Sequence, residues 1–334
     1  MTQLPGAETR PALFQCKMAS IMSAEAMRAG AAVAAVKRRS ASRASTLYLF
    51  ALPATLLFVV FVAYPILWVA EQSLYAGKTD GGVVFAGLAN YTTILSDPTF
   101  WIVVRNMALW GAITIPVQML IGGLLAYFIE RHTHALRGFF RTMFFLPVVT
   151  SVSVISLVWV QIYAPYYGIA QEYLKHIGIV MMTSPIGDPK TAIYALIVVN
   201  IWQWTGFSML MYIAGIANLS SEVLDAARID GARGWRLAVH VIVPMLAPAT
   251  KSLLLLGVIG TLQTFPIVHL MTGGGPNRAS EVFGTFIFKQ SFVLGDTGTG
   301  AALSVIVLVV ALALSLIQIA VLGARLSPAG REES

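Results

Sequence analysis

Apolar residues run along this chain in stretches too long and too unbroken to be the inward face of soluble helices. Roughly 20 consecutive apolar residues suffice to cross a bilayer as a helix, and six stretches qualify: 47–70, 101–129, 140–163, 191–216, 246–271 and 300–323. Pro116, Pro147 and Pro266 fall inside them and are tolerable where neighbouring helices satisfy the freed carbonyls. One long interval between spans, 220–248, has a polar pattern of its own. Ser220 or Ser221 suits a helix N-cap, Glu222 and Asp225 place negative charge in the first turn, and Ala226, Ala227 and Arg228 continue the helix. Gly231 breaks it. A second short helix is predicted over about 232–239, with Arg233 and Arg236 on a polar face and Trp235, Leu237 and Val239 towards the apolar side. Pro244 and Pro248 mark the return to a hydrophobic span. The pattern is therefore a helix, a glycine bend and a helix lying outside the bilayer.

Composition agrees with lipid as the main solvent: 57% of residues are hydrophobic, 11% are charged and the mean hydropathy is +0.77, against a charged fraction of about 25% in soluble domains. The fold class expected is an all-α integral membrane protein with six transmembrane helices. Residues 1–46 are small, polar and basic and read as a disordered tail, with a transiently helical Ala-rich run at 24–36. The apolar run that follows is too long for a signal-peptide core and lacks a cleavage site, so it reads as an anchor. The net charge of +7 has a topological explanation. The tail, the loop around Arg131 to Arg141, the 220–248 interval and the C-terminal 324–334 hold fifteen of the 22 Lys and Arg, while the opposite loops hold five. By the positive-inside rule, both termini and the 220–248 loop are cytoplasmic, on a multi-pass cytoplasmic (inner) membrane protein. No basic patch interleaved with aromatics indicates nucleic acid. Cys16 is the only cysteine and the five histidines form no ligand pattern, so no metal site is expected.

Asp225-Ala226-Ala227, then Asp230-Gly231-Ala232, then Pro244 resembles the cytoplasmic EAA loop of permease subunits in ABC importers. One departure is Asp225, where that family usually has Glu. Gly87-Leu88-Ala89-Asn90-Tyr91, the stretch from Phe140 to Val148, and Met271-Thr272-Gly273-Gly274-Gly275-Pro276 are similar to the sugar-uptake branch, whose members include maltose, lactose and glycerol-3-phosphate permeases. The resemblance covers about 47–322. It implies a type I importer permease fold with a permease domain at 47–323. It also implies that Glu222, Asp225, Ala226, Ala227, Asp230, Gly231, Ala232 and Pro244 form an ATPase-coupling loop. The partners implied are a second homologous permease, two ATPase subunits, an extracytoplasmic solute-binding protein and membrane lipid. No cofactor is expected on this chain, with ATP and Mg on the partner subunits. Gly77-Lys78-Thr79 looks like the end of a phosphate-binding loop, but Gln72 stands where such a loop needs its first glycine.

Polar residues within spans are the candidates for a translocation path: Asn200, Trp202, Gln203 and Trp204 in the fourth span, Gln161 in the third, and Gln263 and Phe265 in the fifth. Amides hydrogen-bond sugar hydroxyls and aromatic faces pack on pyranose rings. The same residues also suit interhelical packing and interfacial aromatic belts, and the sequence leaves both readings open. Arg105 and Lys251 suit snorkelling to the interface. The function expected is ATP-driven import of a sugar or sugar-like solute by a transport subunit that is not itself an enzyme. The alternatives are a glycerophosphate-type solute and an ion-coupled carrier. Against the carrier, the fourth and sixth spans hold no ionisable residue. No paired carboxylates or activated nucleophile support an enzyme.

Overall fold

The computed structural model describes residues 50–77, 82–132, 136–176, 178 and 183–323. The expected tails at 1–46 and 324–334 lie outside these residues, as do Lys78 and Thr79. By contacts the chain divides into two units, Met1–Trp68 and Val69–Ser334. The described part of the first is apolar helix, belonging to α1, Phe50–Gln72. Apart from α1 itself, everything below concerns the second.

Among the described residues, four helices are continuous and apolar enough to cross a membrane: α1, α3 (Pro98–His132), α7 (Ala192–Ala217) and α13 (Thr297–Gly323). The third and fifth expected spans are not single rods. The third is α4 (Arg137–Val149) followed by α5 (Val152–Ile162), bent by 96°. Pro147 removes one backbone donor, and Thr150 and Ser151 after it take extended ψ values of 140° and 132°. Thr150 Oγ1 donates to Leu146 O at 2.8 Å, satisfying a carbonyl near the break.

The fifth span is preceded by α9 (Trp235–Met245), which meets α10 (Ala247–Leu262) at a 64° bend with Pro248 just inside the second helix. It is then interrupted at Gln263 and Thr264 before α11 (Phe265–Met271). Pro266 explains that second break, since it offers no N–H to the Leu262 carbonyl and suits the first turn of a new helix. Pro116, by contrast, sits inside an unbroken α3.

Of the shorter elements, the helix that opens the polar loop was legible in the pattern, and the hairpin and the other short helices were not. β1 (Tyr75–Gly77) pairs antiparallel with β2 (Val83–Phe85), and Tyr75 opposes Phe85. In α2 (Ala89–Ser96), Asn90 Nδ2 donates to Ser73 O at 2.9 Å and Tyr75 O at 2.8 Å, tying the hairpin to the helix. Gly77 thus lies in a strand. The remaining helices are α6 (Ile169–His176), α8 (Ser221–Ile229) and α12 (Phe283–Phe288).

Two apolar clusters form the core. One gathers Phe100, Met107, Trp110, Leu196, Val199, Val268 and Phe283. The other gathers Ala126, Ile129, Met209, Tyr212, Leu246 and Leu253. Along α3 and α7, the first cluster ends at Trp110 and Val199 and the second begins at Ala126 and Met209. Towards the second cluster the two helices touch through glycine: a Cβ on Gly122 would lie 2.7 Å from Ser208 Cβ and 2.8 Å from Met209 N. Small residues at such crossings let backbones approach, which is what drives association in lipid.

Candidate functional site

The interval between the two clusters is occupied by a cavity of ≈ 400 Å³ walled by α3, α7, α10 and α11, with Val152 of α5 at its edge. Its polar groups are neutral, comprising Thr114 and Gln118 of α3, Asn200, Gln203 and Ser208 of α7, and Thr261, Gln263 and Thr264 at the break in the fifth span. Trp110, Trp204 and Phe207 provide the aromatic walls, and among the described residues no charged side chain lines the cavity.

The two amides of α7 are employed differently. Gln118 Nε2 donates to Asn200 Oδ1 at 2.9 Å and to Asn200 O at 3.2 Å, so this pair joins α3 to α7. Gln203 is only 2% exposed, lines the cavity, and makes no hydrogen bond to protein among the described residues. An amide shielded from bulk water and unspent on protein is available to whatever fills the space. Thr261 and Thr264 spend their hydroxyl hydrogens on Gly257 O at 2.9 Å and Thr261 O at 2.7 Å, which leaves their oxygens as acceptors. Replacing Gln118 by Leu is expected to lower stability by about 0.5–1.5 kcal/mol, the scale of an interhelical hydrogen bond in lipid, read as a lower midpoint of thermal unfolding in detergent.

Of the path candidates, Asn200, Gln203, Trp204 and Gln263 meet in the cavity and Trp202, Phe265 and Gln161 do not. Trp202 packs edge-on against Trp159 with centroids 5.6 Å apart. Phe265 stacks on His269 at 5.0 Å. Gln161 is exposed. The sequence reading missed Gln118, Thr114 and Trp110. Gln118 carried a usable signal, an amide inside an apolar span two residues after a proline.

The polar loop forms a second site. α8 starts after Ser220, whose side chain makes no capping bond, and Glu222 lies exposed in the first turn. Arg228 Nη1 donates to Asp225 Oδ1 at 2.6 Å, an exposed i,i+3 pair worth little to stability. Gly231 has φ +85°. Gly231 N donates to Arg228 O at 3.1 Å and Ala232 N to Ala227 O at 2.9 Å. Those two bonds make a Schellman ending, which needs a left-handed residue at the glycine position. Ala226 and Asp230 are exposed. The second helix begins at Trp235 rather than at 232, because Gly234 takes φ +56° ahead of it. Leu237 is buried, whereas Trp235 is 67% exposed. Pro244 is exposed near the end of α9. The loop thus presents Val223, Ile229 and Trp235 outward beside its charges.

Residues 118–327 match the family described as binding-protein-dependent transport system inner membrane component. The chain belongs to that family. The permeases similar to it include the probable ABC transporter permease protein YurN of Bacillus subtilis, 35% identical over 86% of this chain and 97% of that one. They also include the lactose transport system permease protein LacF of Rhizobium radiobacter, 32% identical over 73% and 83%, and the sn-glycerol-3-phosphate transport system permease protein UgpA of Agrobacterium fabrum, 31% identical over 77% and 88%. Among solved structures, a bacterial ABC transporter involved in the import of the acidic polysaccharide alginate superposes with a TM-score of 0.75 at 21% identity, over 86% of this chain and 98% of that one. That likeness establishes the type I permease fold. The chain is accordingly an inner-membrane permease subunit of a binding-protein-dependent ABC importer, a transport component rather than an enzyme.

Proposed function

We propose that this permease carries an uncharged sugar or sugar-like solute through the cavity between α3, α7 and α10. The observation that carries the reading is a charge-free space lined by amides, hydroxyls and indole rings, with the Gln203 amide unspent on protein. Hydroxyl-rich solutes offer donors and acceptors to such groups and apolar ring faces to Trp204. Permeases for lactose and for arabinooligosaccharides are among the relatives, which supports the class. The glycerol-3-phosphate relatives favour a second reading, a glycerophosphate-type solute. A phosphate ester calls for a cation in the path, and neither Arg105 nor Lys251 lines the cavity.

In this reading the chain makes six crossings, counting each bent pair as one, with both termini and the 221–245 loop in the cytoplasm. The coupling loop comprises Glu222, Asp225, Ala226, Ala227, Asp230, Gly231, Ala232 and Pro244. It docks on one of two ATPase subunits, which hold the ATP and Mg, and a second homologous permease completes the pore. An extracytoplasmic binding protein delivers solute. The alginate importer has been solved in complex with an alginate pentasaccharide-bound periplasmic protein, which supports that arrangement.

The test is a pull-down of the chain from mild detergent, with ATPase activity assayed on the eluate. Co-elution of an ATPase and a second permease is the expected result. A chain that elutes alone and inactive, under conditions that preserve such complexes, would overturn the assignment of the loop.

A further inference from the structure

A groove runs behind the polar loop, separate from the solute cavity. Its wider part, ≈ 610 Å³, lies between the ends of α3 and α7 and the underside of α8 and α9, lined among others by Glu130, Leu224, Arg228 and Arg233. A narrower part, ≈ 240 Å³, continues along α3 past Leu124, Gly123, Leu120 and Met119, faced by Val243 and Leu246. Tyr127, Ile216 and Ile242 line both parts, so the two adjoin. From Tyr127 to Met119 the groove covers eight residues of helix, about 12 Å at 1.5 Å per residue, most of the ~15 Å hydrocarbon depth of one leaflet.

The two parts differ in charge. In and beside the wide part, Glu130 pairs with Arg137 at 3.5 Å and Arg141 at 2.5 Å, and Asp225 pairs with Arg228 at 2.6 Å. Arg233 is exposed and has no carboxylate partner among the described residues. The lining itself thus holds two guanidinium groups, Arg228 and Arg233, against one carboxylate, Glu130, which is already paired with Arg137 and Arg141, a surplus of positive charge at one end of an apolar slot. The narrow part is lined by aliphatic and aromatic side chains, with the hydroxyls of Tyr127, Tyr212 and Thr250 and no charged side chain among the described residues.

We infer that the groove binds one anionic phospholipid, with its phosphate against Arg233 and Arg228 and one acyl chain along Leu124, Gly123 and Leu120. Basic pockets between transmembrane helices at the cytoplasmic surface suit anionic headgroups, and an arginine fork suits phosphate geometry. The lipid would lie against the bend of the loop, because Tyr127 Oη donates to Gly234 O at 3.2 Å and pins α3 to the joint between α8 and α9. Occupancy therefore braces the loop. The inference rests on the reading of 221–245 as a loop at the membrane surface, which ATPase co-elution tests separately.

The experiment is native mass spectrometry of the assembled importer in detergent, titrated with phosphatidylglycerol and, in parallel, with phosphatidylcholine of the same chains. Phosphatidylglycerol is expected to remain bound at concentrations where phosphatidylcholine does not. Arg233→Gln, on an exposed side chain, should weaken its retention about tenfold, the loss of roughly one charge-assisted bond. Leu120→Trp fills the apolar slot without touching the arginines and should weaken retention of both lipids. The soluble headgroup glycerophosphoglycerol should fail to compete. Equal retention of the two lipids, undiminished binding by Arg233→Gln, or competition by the headgroup alone would each overturn the proposal. So would a complex that excludes the lipid while the isolated chain retains it, since the groove would then be covered by a partner protein.

Discussion

Gly231→Val is expected to reduce uptake more than thirtyfold while leaving membrane insertion and the midpoint of thermal unfolding close to those of the parent. The position has φ +85°, and a Cβ there would meet nothing within 4 Å, so the substitution acts through the backbone and not through a clash. An L-residue in the left-handed region costs about 1–2 kcal/mol, and a β-branched side chain is a rarer occupant still. At 1.4 kcal/mol per tenfold, about 2 kcal/mol is a shift of roughly thirtyfold in the population that keeps the Schellman ending. Without that ending α8 would run on past Asp230 or fray, and Arg233 and Trp235 would point elsewhere. The check is uptake into whole cells or proteoliposomes beside a measure of membrane-inserted protein. Gly231→Asn, which tolerates positive φ, should keep much of the activity. Uptake undiminished in the Val variant would remove the loop from the transport mechanism.

Gln203→Leu is expected to raise the half-saturating solute concentration, or lower maximal uptake, by about tenfold. The Gln203 amide is the one on α7 that is unspent on protein, so replacing it removes a group offered to solute, about 1.4 kcal/mol for one buried hydrogen bond. Leu is of similar size and should pack without a cavity, so ATPase co-elution should be retained. Asn200→Leu provides the contrast. It strands Gln118 and should lower thermal stability first, with transport following. Identical kinetics and solute preference in Gln203→Leu would assign that residue to packing.

Much of the fold is legible in runs of apolar residues because the bilayer imposes length, and the boundaries of α7 and α13 fall within a few residues of the sequence reading for that reason. What the pattern does not show is where a span breaks. Pro116 and Pro266 are the same residue in equally apolar surroundings, yet only one interrupts its helix. Around Pro266 the side chains of Thr261 and Thr264 offer alternative partners for backbone carbonyls. Pro116 instead lies in a helix clamped against α7 through Gly122. Such differences live in neighbours distant in sequence.

The polar cavity was legible in kind but not in membership. Mid-span amides announce a path, and rotational position separates Trp204 from Trp202, which are two residues apart. Asn200 and Gln203 are three apart and both line the cavity; what distinguishes them is that Gln118 of α3 engages Asn200 alone. The hairpin escaped because three-residue strands carry too little alternation to register. The loop was readable because glycine at a helix end has one dominant structural use.

The split of the apolar packing into two strata has a mechanical consequence. α3 and α7 pass unbroken through the polar layer between the strata, while the third and fifth spans are jointed near it, at Thr150–Ser151 and at Gln263–Thr264. Bending α3 or α7 would disturb both clusters at once, because each helix packs in both, so a change in the shape of the cavity is expected at the joints, where Gln263 and Thr264 form part of its wall.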